Sequence, residues 1–222
     1  MRATMLKVLA VHDYDPWLEK YVVERPVPIS GLVRQFEQVL DTAKKEEDVQ
    51  KFLTENPFIL AEQLPHCHYV VPKFRFGGQY VSDFLLPEMT SGGTFWVLVE
   101  LEPPNATLVT ASGQLADRVR VGVQQVKDWR DWLVNNRDMA TRPRSKNGLG
   151  LSDIQGVWGW VVVGRRTHVS PRFNQLRSQI QNDSGIKIMT YDRLLDWFRN
   201  RAEHWEHWER TLGSLATRPG PN

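Results

Sequence analysis

The sequence predicts an α/β fold, one mixed sheet covered by helices. Three observations carry this. Hydrophobic periodicity switches between the helical and the strand pattern in the order helix, three strands, helix, strand, helix, strand, helix. The run 94–102, "TFWVLVELE", is apolar on both faces, as a central strand is. A length of 222 residues suits one domain with a small appendage and is enough to bury a sizeable core. The predicted folded unit is 31–212. It lies between an N-terminal extension, 1–30, and a flexible tail, 213–222, whose ending "ATRPGPN" fits a frayed terminus.

The elements follow in order. Residues 31–56 predict two helices. Leu32, Phe36 and Leu40 line the first, and Val49, Phe52 and Leu53 the second, whose first turn is acidic and which Pro57 stops. Strands are predicted at 68–76 and 80–86, joined by Gly77-Gly78, and a third at 94–102 after the turn "SGG". A long helix is predicted over 111–136, with Leu115, Val119, Val126, Trp129 and Leu133 on one face. Residues 137–154 read as a polar, basic, flexible loop. Then come a buried strand (157–164), a helix (171–181), a short strand (186–191) and a last helix (192–212).

Composition narrows the function classes. Net charge is +2, so any nucleic-acid surface must be local. Cys67 is the single cysteine, which excludes a disulfide framework and agrees with a reducing, cytoplasmic setting. No apolar run reaches the roughly 20 residues of a membrane span, and the N-terminus lacks a signal-peptide pattern. No phosphate-binding glycine loop occurs in a strand–loop–helix context. Ser82 lacks a nucleophile-elbow pattern.

Glu100 and Glu102 end the third strand. Residues i and i+2 share a strand face, so both point away from Val97, Val99 and Leu101. At about 6.6 Å between attachment points, two ionised carboxylates repel by about 2.5 kcal/mol at an effective dielectric near 20. Water, a basic neighbour or a cation must offset this. Asp83 interrupts the preceding apolar strand and falls beside Glu100 across the meander. Three carboxylates on adjacent strand ends make a hard oxygen site suited to Mg²⁺ or Mn²⁺. The plainer alternative is that Glu100 and Glu102 simply mark the solvated strand end before Pro103.

Gln125 and Trp129 lie one turn apart on the long helix, with Lys127 and Arg130 nearby. A glutamine there could bind phosphate or water, but by spacing alone solvated glutamines on an amphipathic helix are the simpler reading. Arg137, Arg142, Arg144 and Lys146 give the 137–154 loop the charge to contact phosphates, whereas Arg165-Arg166 reads as solvated charge. "HCH" at 66–68 alternates faces and makes an incomplete zinc site. "HWEHWE" at 204–209 reads as packing rather than metal binding.

Together the segments "FLTENPFIL", "SDFLL", "VLVELEPPNATLVTASGQ", "QQVKDWRDWL", "VVVGRR" and "IKIMTYDRLLDW" resemble the DUF4263 domain of Shedu antiphage defence proteins. That domain is a branch of the PD-(D/E)XK nuclease superfamily. The resemblance spans roughly 50–198. It implies a restriction-endonuclease-like core in αβββαβ order with a C-terminal αβα extension. It also implies a Mg²⁺- or Mn²⁺-dependent DNA endonuclease, acting as a homo-oligomer without a nucleotide cofactor. Asp83 and Glu100 match the metal-holding acids, with the Leu101 carbonyl nearby and Glu47 a further candidate ligand. Gln125-Val-Lys-Asp-Trp129 matches the superfamily's Gln-x-x-x-Tyr helix. Glu102 departs from the pattern, which has lysine there. Glu102 is then a further ligand, or a lysine reaches in from elsewhere. Lys127 lies about 200° round the helix from Gln125 and is poorly placed for this, and Lys73 on the neighbouring strand is the other option. The DNA-binding set is Lys73, Lys127, Arg130, Arg142, Arg144 and Lys146. The alternative is an inactive nucleic-acid-binding or oligomerisation module with the same fold.

Overall fold

The protein is described by a computed structural model, which covers residues 16–24 and 29–216. Most of the N-terminal extension and the last residues of the expected tail lie outside the described residues.

Helices α1 (Ile29–Thr42), α2 (Glu46–Glu55) and α3 (Phe58–Ala61) precede the hairpin strands β1 (Val71–Phe76) and β2 (Tyr80–Thr90) and then strand β3 (Gly93–Leu101). Next come α4 (Asp117–Asn135), α5 (Arg137–Thr141), β4 (Ile154–Val162), α6 (Pro171–Ser184), β5 (Ile186–Met189) and α7 (Tyr191–Ala216). The five strands form one open sheet in the order β1-β2-β3-β4-β5. β1, β2 and β3 pair antiparallel, and β3, β4 and β5 pair parallel. The expected mixed sheet flanked by helices is therefore present.

β3 explains why its sequence is apolar on both faces. Trp96 and Leu98 enter the core shared with α4 and α6, whereas Val97 and Val99 enter the core shared with α1, α2 and α7. Alternation along one strand feeds two layers. Gly159 on β4 lets α4 lie close to the sheet. A Cβ there would stand 2.2 Å from Val126 Cγ1. The Gly77-Gly78 turn has the positive φ values, +54° and +86°, that glycine accepts at low cost.

Several boundaries differ from expectation, among them β1, which starts at Val71 rather than 68, and β4, which spans Ile154–Val162 rather than 157–164. α4 starts at Asp117 rather than 111, because Thr110, Gly113 and Gln114 close a turn through backbone bonds first. β2 continues through Pro87 to Thr90, beyond the predicted 86, with Pro87 opposite Trp96. β5 ends at Met189 and α7 begins at Tyr191, where 191 and 192 were expected. The 137–154 segment is not a slack loop. It contains α5 and folds back on it through backbone bonds from Leu149 to Met139 and from Leu151 to Ala140. Among the described residues no helix is long and apolar enough to cross a membrane.

Candidate active site at a strand fork

β2 and β3 stay paired from Thr90↔Gly93 to Phe84↔Val99 and then part. The register would place Asp83 opposite Glu100. Instead, the Asp83 carboxylate takes the place of the ladder. Its Oδ2 accepts the Leu101 N–H at 2.8 Å. On the other side, β1 passes Asp83 between the pairs Pro72↔Phe84 and Phe74↔Ser82. At that point Lys73 takes the left-handed conformation, φ +47°, which is costly for a residue with a Cβ. Its Nζ lies 2.7 Å from Asp83 Oδ1. Gln50 Nε2, from α2, donates to the same oxygen at 2.8 Å. Three segments thus converge on one carboxylate that is 8% exposed.

Glu100 and Glu102 are also buried, 7% and 2% exposed. The backbone holds Glu102 from two sides. Its N–H donates to the Val162 carbonyl at 2.9 Å, and its carbonyl accepts the buried Tyr191 hydroxyl at 2.9 Å. Helix α4 rests on its side chain at Gly122, where a Cβ would meet Glu102 Cγ at 3.3 Å. Glu102 Oε2 accepts no hydrogen bond, and Arg118 Nη1 stands 3.7 Å away.

The electrostatics follow from burial and crowding. Burial, then the neighbouring Asp83, Glu102 and Glu46 carboxylates, push Glu100 up to about 9, against the pull of Lys73. Burial and then Glu46 raise Glu102 to about 7, with Arg118 opposing. Glu46 is raised by burial, then by Asp83 and Glu47. Four acids share this corner with two cations, Lys73 and Arg118. Extra protons or an added cation must balance the remainder.

The donor chemistry fits a hard divalent ion. Buried carboxyls driven towards protonation and an Oε2 without a donor mark a deficit of positive charge. Asp83, Glu100 and Glu102 are the residues that would hold such an ion. As placed, no three His, Cys, Asp or Glu among the described residues are grouped to bind a metal. The Asp83 oxygens are instead taken by Lys73, Gln50 and the Leu101 N–H.

The structure brings Asp83, Glu100, Glu102 and Lys73 together at one fork and treats the other candidates differently. Leu101 meets Asp83 through its N–H. Glu47 is exposed, and Glu46 is the acid of α2 that acts on Glu100 and Glu102. Gln125 is half-buried, three residues past Gly122. Lys127 and Arg130 are elsewhere. They line a cleft of about 790 Å³ with Phe95 and Trp158, at the far end of β3, and Arg130 donates to the Ser184 carbonyl. Arg142 and Lys146 are exposed, while the Arg144 guanidinium stacks 3.7 Å over the Trp17 ring. Near the zinc-like triplet, burial lifts the Cys67 thiol to about 12 and its Sγ donates to the Tyr69 carbonyl, so it is no thiolate ligand.

Gln50, Glu46, Arg118 and Tyr191 are site residues that the sequence reading missed. One signal was available. Glu46 and Gln50 stand four apart and flank Val49 and Leu53, so they share the inward face of α2.

A family model described as "Shedu protein SduA, C-terminal" matches residues 43–195, more than half of the chain. The matched span opens just before α2 and closes within α7, so it contains the whole fork. Among individually curated proteins, none matches.

Proposed function

This chain belongs to the family of the Shedu protein SduA C-terminal region, and on that premise we propose that it is a divalent-metal-dependent DNA endonuclease. Family membership points to antiphage defence. The α2–β1-β2-β3–α4–β4 order supports a restriction-endonuclease-like, PD-(D/E)XK core. One observation carries the catalytic reading: Asp83, Glu100 and Glu102 are all buried about the point where two strands part.

Asp83 and Glu100 would hold the ion, Mg²⁺ or Mn²⁺, with Glu102 in the place where the superfamily carries lysine. Bound there, such an ion polarises a phosphoryl oxygen and lowers the pKa of water. The chain's own residues set up the site. Glu100, raised to about 9 by burial and its acidic neighbours, holds its proton near neutral pH. Lys73 and Gln50 orient the Asp83 carboxylate. Arg118 partly balances Glu102. Burial of all three acids lowers the local dielectric and strengthens their hold on a cation.

The test is plasmid nicking with and without Mg²⁺. Asp83→Ala and Glu100→Ala each abolish nicking while retaining a cooperative melt. Undiminished cleavage by both folded variants overturns the reading.

One observation favours a second reading, a DNA-binding module without chemistry. Both Asp83 oxygens are already engaged by protein donors. Calorimetric titration separates the two. DNA binding with neither Mg²⁺ uptake nor nicking identifies the module.

A further inference from the structure

Three clefts surround the fork and are chained together by shared walls. One of about 520 Å³ is lined by Lys44, Lys45, Glu47 and Arg118 among others. The next, about 340 Å³, shares Glu47 with it and adds Lys51, Pro72 and Lys73. The third, about 380 Å³, shares Pro72 and Lys73 and ends at Arg75 and Arg144. They join end to end as a trough, with α2 lining the first two clefts and β1 the last two. Gln50 and Lys73, the two side chains that grip Asp83, line its middle. Cations stand at both ends and at the centre, interleaved in the first two clefts with Glu46, Glu47 and Glu55.

Most surface cations are solvated and bind nothing. Two of these are held in place instead. The Arg144 guanidinium carbon stands 3.7 Å over the Trp17 ring, and its Nε donates to the Leu149 carbonyl at 3.3 Å, so two contacts hold it. The loop that carries it is pinned by backbone bonds from Gly148 to Pro143 and from Gly150 to Arg142. Trp17 is tied to the same loop through Nε1 and the Gly150 carbonyl, at 3.1 Å. Lys73 is aimed by a strained, left-handed backbone. One fixed cation at an end of the trough, Arg144, and one at its acidic centre, Lys73, match a polyanion that passes over that centre.

We infer that the trough binds a nucleic-acid strand by its phosphate backbone, entering past Arg75 and Arg144, crossing Lys73 and leaving past Lys44, Lys45 and Arg118. The assignment of what is carried rests on the nuclease reading. The path does not, and it excludes the Lys127–Arg130 cleft.

Fluorescence anisotropy of the full chain with a labelled 20-nucleotide probe, single-stranded or duplex, tests the path. EDTA keeps cleavage from contributing. Arg75→Glu and Lys45→Glu, exposed and at opposite ends, are each expected to weaken binding by roughly three- to tenfold. Each should also lower the slope of log K against log[salt] by about one. The probe form that shows these losses is the form carried. Lys127→Glu is expected to change affinity less than twofold. Arg144→Glu should act like Arg75→Glu but also removes the Trp17 stack, so the other two variants decide. Normal affinity for both probes in folded Arg75→Glu and Lys45→Glu, or an equal loss in Lys127→Glu, overturns the path. The two readings fail separately. Lost probe binding without any Mg²⁺-dependent nicking removes the nuclease and keeps the trough. Asp83-dependent nicking with binding indifferent to the trough variants does the reverse.

Discussion

Replacing Glu100 with glutamine should stabilise the protein, and increasingly so as pH rises. Glu100 is 7% exposed, and its pKa moves from 4.5 to about 9 on folding. Between those values the folded chain keeps a proton that the unfolded chain has released. The folded state then binds more protons, so stability falls as pH rises, by about 1.4 kcal/mol per pH unit for one such group. From pH 5 to pH 7 the loss is on the order of 2–3 kcal/mol. In a chain of this size each kcal/mol moves Tm by about 2–4 °C, so the shift is roughly 5–10 °C. Glutamine approximates the shape of the neutral carboxyl and has no proton to lose. Calorimetric melts of wild type and Glu100→Gln in EDTA, at pH 5, 6, 7 and 8, measure the difference. The variant's Tm advantage should be small at pH 5 and grow through pH 8. A constant gap, or one that shrinks with pH, refutes the claim that burial and neighbouring carboxylates hold this group neutral.

Other consequences follow from the same corner and its supports. At pH 8, millimolar Mg²⁺ or Mn²⁺ should raise the wild-type Tm, because a ligand bound only by the folded state adds stability. Asp83→Ala and Glu100→Ala should show no such rise. Gln50→Ala removes a buried donor from Asp83 and is expected to cost about 1–3 kcal/mol by urea denaturation; an unchanged midpoint would mean that Lys73 and the Leu101 N–H suffice. Gly159→Ala forces a methyl into Val126 and should cost about 1–3 kcal/mol. Because it levers α4 off the sheet, nicking should fall alongside stability.

Periodicity made much of the fold legible. Every predicted strand and major helix is present, and the errors lie at element ends and in the 137–154 segment, which is folded rather than slack. Asp83 and Glu100 were also visible, because a carboxylate inside an apolar run departs from what burial alone selects. Their convergence followed from the meander, since adjacent strands bring residues of known register side by side.

What one-dimensional pattern could not contain is where the strands separate and which distant side chain fills the gap. Gln50 reaches Asp83 across 33 positions, and Lys73 turns towards it through a single left-handed residue. The lysines and arginines looked alike along the chain, yet folding divides them between the trough beside the fork and a cleft at the far end of β3. The local spacing of apolar residues dictates which face of each element is buried, because each side chain's exposure follows from its own neighbours. The partners of a buried charge, and the balance of protons it keeps, depend on the mutual placement of segments far apart in sequence, and only the packed structure decides that.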